Sequence, residues 1–148
     1  MEQLIFDSGI KEYQINGKGV LRFNPSDPNV YARFMDMVHK IKEIEEDLGK
    51  KAAAIDHDSK SAGEETLHLM RESDHKIKNE LNLTFGQDND FDKILEGVNL
   101  MAVATNGRRV IENLMEALQP IMEAGAKNCV KSEVDTAKLN RQQRRAMQ

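Results

Sequence analysis

At 148 residues, with 31% charged and only 5% aromatic side chains and no Trp, the chain has the length of one domain. Its apolar supply is mainly Leu, Ile, Val, Ala and eight Met, which favours helices over a sheet-rich core, and its single cysteine, Cys129, excludes an internal disulfide framework and any multi-cysteine metal site. The formal net charge of −4 is unevenly divided: residues from Lys127 onward hold six Lys and Arg against two Asp and Glu, a surplus of +4, which leaves −8 on residues 1–126.

The start, MEQLIFD, has an early acid and lacks the cationic entry and apolar run of a secretion signal. The longest apolar neighbourhood, VNLMAVA at 98–104, is far below the ~20 residues that span a bilayer. Both features predict an intracellular chain that inserts into no membrane. Over the first 24 residues, LIFD and KEYQI carry apolar residues at strand spacing. Asn16 and Gly17 then supply the positive backbone angles of a tight turn, and VLRFN follows. A β-hairpin is expected, with room for a third short strand at 3–7. Gly17 and Gly19 have neither the third glycine nor the Lys-Ser or Lys-Thr pair of a phosphate loop.

In NPSDPN, at 24–29, Pro25 stops the strand, Ser26 or Asp27 can cap a helix, and Pro28 suits its first turn. Val30, Phe34, Met37, Val38, Ile41, Ile44 and Leu48 then form a helical stripe. Lys42 with Glu46, Glu46 with Lys50, and Asp47 with Lys51 make four-residue charge pairs on its solvated face. Between Gly49 and Gly63 the pattern thins, consistent with either a loop or a weak continuation of the helix. From Glu64, the residues Leu67, Met70, Ile77 and Leu81 predict a second helix to about Leu83, terminated by Gly86. Narrow stripes of this kind are expected to be completed by another helix, from the same chain or another copy.

Asp88, Asp90 and Asp92 invite a calcium reading that fails on spacing: Lys93 stands at the glycine position and Asn99 at that of the bidentate glutamate. The acids instead suit the N-terminus of a short helix, Phe91 to Glu96, ended by Gly97. A longer helix is expected from Asn106 to about Ala124, with Val110, Ile111, Leu114, Ala117, Leu118, Ile121 and Met122 on one face. Pro120 should kink it and Gly125 close it, before a mostly polar last helix in SEVDTAKLNRQQRRAM. The expected fold is mainly α with a small N-terminal β-hairpin, its helices extended and completed by oligomerisation. It divides into a body, 1–126, and a basic C-terminal helix or tail, 127–148.

No chemistry-bearing constellation emerges. His39, His57, His68 and His75 show no metal spacing, and DHD at 56–58 falls in a segment better read as a solvated loop. There is no nucleophile elbow and no sequence-local Cys-His pairing, so catalytic, cofactor and metal residues are all expected to be none. In the tail, Lys138, Arg141 and Arg145 share one helical face and Arg144 joins Arg141 at three-residue spacing. Three roles stay open for this row: offsetting the helix dipole, meeting an acidic protein surface, and binding nucleic acid. The last is disfavoured by the absence of an aromatic for stacking and by the acidic body.

The hairpin stretch IKEYQINGKGVLRFN, the block FGQDNDFDKILEGVNLMAV, the helix NGRRVIENLMEALQPIME and the closing NRQQRRA together resemble a tail assembly chaperone of long-tailed bacteriophages of the siphovirus type, or of a related prophage. The resemblance implies a non-enzymatic protein of the host bacterial cytoplasm, absent from the mature virion, that binds the long, apolar, helical tape measure protein and keeps it soluble. It is displaced as major tail protein polymerises. In many such phages a frameshift-extended form recruits the major tail protein. The resemblance also implies a homo-oligomer without cofactors. The faces expected to meet partners are Phe34, Val38, Ile41 and Leu48 on the first long helix and Leu114, Leu118 and Ile121 on the later one. Arg141, Arg144 and Arg145, with Lys138, are expected to meet an acidic surface on a neighbouring copy or the client. The alternatives are a basic-tailed nucleic-acid-binding or regulatory phage protein and a structural tail or head-joining component.

Overall fold

The computed structural model describes residues 1–147. Two strands, β1 (Lys11–Ile15) and β2 (Gly19–Phe23), are followed by four helices, α1 (Pro28–Ala53), α2 (Ala62–Phe85), α3 (Phe91–Ile94) and α4 (Val110–Ala146). The expected class, mainly α with an N-terminal β-hairpin, is the one observed. Asn16 and Gly17 adopt φ of 50° and 79°, the left-handed angles that let the turn match the strand twist. The strands pair antiparallel from Lys11↔Phe23 to Ile15↔Gly19, and alternation drives Leu21 and Phe23 into the core.

No third strand forms at 3–7. The Asp7 side chain accepts from the Gly9 N–H at 2.8 Å, Gly9 takes φ 75°, and the Asn24 amide donates to the Ser8 carbonyl at 3.1 Å. These bonds turn the chain just ahead of β1, so residues 1–10 run on as an exposed arm.

Asp27 is the cap that starts α1, its carboxylate accepting from the Asn29 N–H at 2.9 Å with Pro28 in the first turn. The predicted stripe is buried at Val30, Phe34, Met37, Ile41 and Leu48, and on the outer face the Asp47–Lys51 pair closes at 3.0 Å. The helix passes through Gly49 to Ala53, so the open question over 49–63 resolves into five more helical residues, a turn, and the first residues of α2. In that turn Asp56 accepts from the Asp58 N–H, which gives DHD a local backbone role. α2 then runs back along α1: Arg33 donates to the Thr84 carbonyl at 3.0 Å and Lys40 pairs with Glu80 at 3.5 Å. Gly86, at φ 104°, ends α2 as expected. Ile77, Leu81 and Phe85 are buried, whereas Leu67 lies exposed near the turn, beyond the reach of the core.

The core closes within the chain, contrary to the expectation that a second copy would be needed. The segment from Phe85 to Met101 supplies the missing volume, with Phe91, Ile94, Leu100 and Met101 buried beside the helices. Phe23 meets Phe85 edge-on at 4.8 Å, and Phe91 and Phe34 lie 5.6 and 6.5 Å from the same ring. Two polar devices fix this segment. The buried Asn89 amide accepts from the Arg22 N–H at 2.9 Å and donates to the carbonyls of Arg22 and Phe85, both at 2.8 Å, so one side chain pairs the outer edge of β2. Buried Lys78 reaches Asp74 at 3.0 Å and Asp92 at 2.7 Å, while Asp74 accepts from the Leu100 N–H at 2.8 Å. Asp90 caps α3, as the run of acids predicts, but Asp92 does more than charge-match a helix end.

Two boundaries of the last helix differ from expectation. It begins at Val110 and not at Asn106, because Asn106 and Gly107 (φ 81°) form a turn between Val103 and Arg109, which pair as an isolated bridge. It also continues through Pro120 and Gly125 to Ala146. Pro120 removes the bond to the Glu116 carbonyl, but both residues face solvent, where water can take that carbonyl. Gly125 is no terminator: a Cβ there would lie 1.7 Å from the Pro25 carbonyl oxygen, so it is the point where α4 crosses the start of α1. Just beyond, Asn128 donates to the Ser26 hydroxyl at 3.0 Å.

Candidate protein-interaction surface

Among the described residues, three surfaces around this core stand out. The first is a groove of about 510 Å³ between α1 and the front half of α4. Its floor comes from the outer edges of Phe34, Val38, Ile41, Ile111, Met115 and Met122. Its rim is mostly acidic, with Glu45, Glu112, Glu116 and Glu123 against Lys42 and Arg108. Arg108 is engaged by Glu112 at 3.3 Å and by Glu116. Burial pushes the Glu45 carboxyl above its ordinary range; Arg109 opposes the shift and Glu112 adds to it. The groove wall therefore holds more carboxylates than cations, four Glu against Lys42 and Arg108, and Met115 with half-exposed Met35 gives it an adaptable lining.

The second surface is the rear half of α4. Every residue from Lys131 to Met147 is exposed, a projection of roughly 25 Å at 1.5 Å per residue. Ala126, Val130 and Val134 make an apolar strip flanked by Lys127, Lys131 and Lys138. Val130 and Val134 are 64% and 45% exposed. Lys138, Arg141 and Arg145 prolong that strip at four-, three- and four-residue steps. The basic tail is thus the helical end of α4 itself, and its last residue, Gln148, lies outside the described residues. The third surface is the N-terminal arm, with Leu4, Ile5 and Phe6 all in solvent.

The residues singled out in the sequence divide among these places. Phe34, Ile41, Leu48 and Leu118 are buried in the core; Phe34 and Ile41 also show an edge to the groove, and Leu48 and Leu118 do not. Val38, Leu114 and Ile121 are half-buried, and Val38 lies in the groove. Lys138, Arg141, Arg144 and Arg145 are all exposed on the projecting helix. Sequence reading missed the acidic rim, although Glu112, Glu116 and Glu123 recur at four and seven residues along α4. Among the described residues no three His, Cys, Asp or Glu side chains come together as a metal site, and no helix is long and apolar enough to cross a membrane.

No family model, curated protein or solved structure matches this chain.

Proposed function

We propose that the chain is a tail assembly chaperone of a long-tailed, siphovirus-type bacteriophage or prophage. It binds the tape measure protein in the host bacterial cytoplasm, keeps it from aggregating, and is absent from the mature virion. The observation that carries this reading is the open, methionine-bearing groove between α1 and α4, left unfilled by a chain whose core is otherwise closed. A groove of this kind suits an amphipathic helix laid in by its apolar face. Many copies along one long helical client would each bind weakly and hold strongly together, and each could leave as tail polymerisation proceeds. The chemistry proposed is association only, with no catalytic step.

Co-expression with the tape measure protein of a long-tailed phage tests the proposal. The client should move from the pellet to the supernatant when the chain is present, and the shift should be lost when Val38 and Met115 are both replaced by Glu in a variant that keeps its helix content. A client that stays insoluble with the wild-type chain would refute the reading. The exposed cationic row on α4 favours one second reading, nucleic-acid binding. That reading requires an affinity for DNA or RNA that falls steeply with salt as counterions are released.

A further inference from the structure

The groove and the projecting helix complement each other in chemistry. The acidic row on α4 from Glu112 to Glu123 covers eleven residue steps, roughly 16 Å, long enough to face the cations from Lys138 to Arg145, which cover seven, roughly 10 Å. One presents an apolar floor beneath carboxylates; the other presents two exposed valines continuing into cations. We infer that the rear half of α4 from one copy lies in the α1–α4 groove of a second copy, with Val130 and Val134 on the apolar floor and Lys138, Arg141 and Arg145 against the glutamate rim. The groove is the one proposed for the client helix, so the inference rests on that reading of it as a helix-binding site, and tail and client compete for it.

Geometry excludes the same contact within one chain. The groove wall and the projecting stripe belong to one continuous helix, and the point midway between Val130 and Arg141 lies roughly 27 Å down the axis from the midpoint of the acidic row. A helix cannot fold back onto its own flank, so the occupant must come from elsewhere. Charge favours this chain over an arbitrary partner: the segment after residue 126 carries +4, and the groove lining has four Glu against Lys42 and Arg108, a net −2 on a body of −8. Because donor and acceptor are different patches, the contact is heterologous, and each added copy offers a new tail and a new groove. The assembly is therefore an open or ring-closed row, with each cation contributing modestly and reversibly.

Sedimentation velocity of the full-length protein at low salt, with no client present, tests this directly. Two variants are made at exposed positions: Lys138→Gln/Arg141→Gln/Arg145→Gln on the donor, and Glu112→Gln/Glu116→Gln on the acceptor. The wild type should form concentration-dependent oligomers that shrink with added salt. Each variant alone should associate about tenfold more weakly or worse, with unchanged circular dichroism. Mixed together they should form capped one-to-one complexes, since the acceptor variant keeps its tail and the donor variant keeps its groove. A wild type that stays monomeric at tens of micromolar overturns the inference. So do variants that assemble like wild type, or loss of assembly only on removing Leu4, Ile5 and Phe6, which would make the arm the occupant. No client is present in this measurement, so failure of self-assembly is read separately from failure of client solubilisation, and adding client should dissociate the oligomers because both occupy one groove.

Discussion

Replacing Lys78 with Ala is expected to destabilise the fold by about 3–5 kcal/mol, the range for leaving a buried charge without its partner. Lys78 and Asp74 are almost completely covered, and Asp74 also holds the Leu100 N–H, so the unpaired carboxylate would sit where the core segment from Phe85 to Met101 is anchored. The melting temperature should fall by roughly 10 °C. Asp92, the exposed partner, adds a pH signature. The hydrogen bond from Lys78, reinforced by its charge, holds the Asp92 carboxyl below its ordinary range. A carboxyl depressed in the folded state contributes stability that is present above its unfolded pKa and lost as pH falls through the folded value. Part of the wild type's stability should therefore disappear below about pH 4, and that part should be missing in Lys78→Ala. Thermal melts followed by circular dichroism between neutral and acid pH check both points. A loss below about 0.5 kcal/mol, typical of a surface substitution, would show that the ion pair anchors nothing.

Gly125→Ala should destabilise although it removes a glycine from a helix. In an unobstructed helix the change gains roughly 0.5–1 kcal/mol from reduced backbone entropy. Gly49, inside α1 just before its last turn and with nothing within 4 Å of an added Cβ, is the control and should show that gain. At Gly125 the new Cβ meets the Pro25 carbonyl at 1.7 Å, backbone against backbone, so α4 must move off the start of α1. A net loss of roughly 1–3 kcal/mol is expected, as for overpacking elsewhere. Loss of the Asn128–Ser26 bond should be visible as faster amide exchange over 25–31. Opposite signs at the two glycines support the crossing; equal gains would contradict it.

The same glycine shows why parts of the molecule could be read from sequence and others could not. Gly125 looks like a helix terminator because glycine ends helices, but glycine also permits two backbones to touch, and only the tertiary arrangement decides between them. Asn106–Gly107 was similarly ambiguous, reading as a helix start and folding as a turn. The hairpin and α1 were legible because a turn with two left-handed residues, a Pro-flanked cap and an unbroken apolar stripe all agree. Lys78 left a signal that was not used. Asp74 and Lys78, four apart, fall on the same face as Leu81 and Phe85, which places an ion pair on the side that enters the core. The groove had no such signal, because its walls come from residues more than sixty positions apart. Their spacing is set by the packed segment between them. The tail's charge was legible throughout; its continuity with α4 was not.

We propose that the chain works by transient association with the tape measure protein during assembly. This is tested most directly by following the protein through one round of phage production. Immunoprecipitation before tails polymerise should recover the tape measure protein in complex with many copies of this chain, and mass spectrometry of purified virions should find the tape measure protein without it. Recovery of the chain as a stoichiometric component of finished particles, with no tape measure protein bound to it beforehand, would contradict the account.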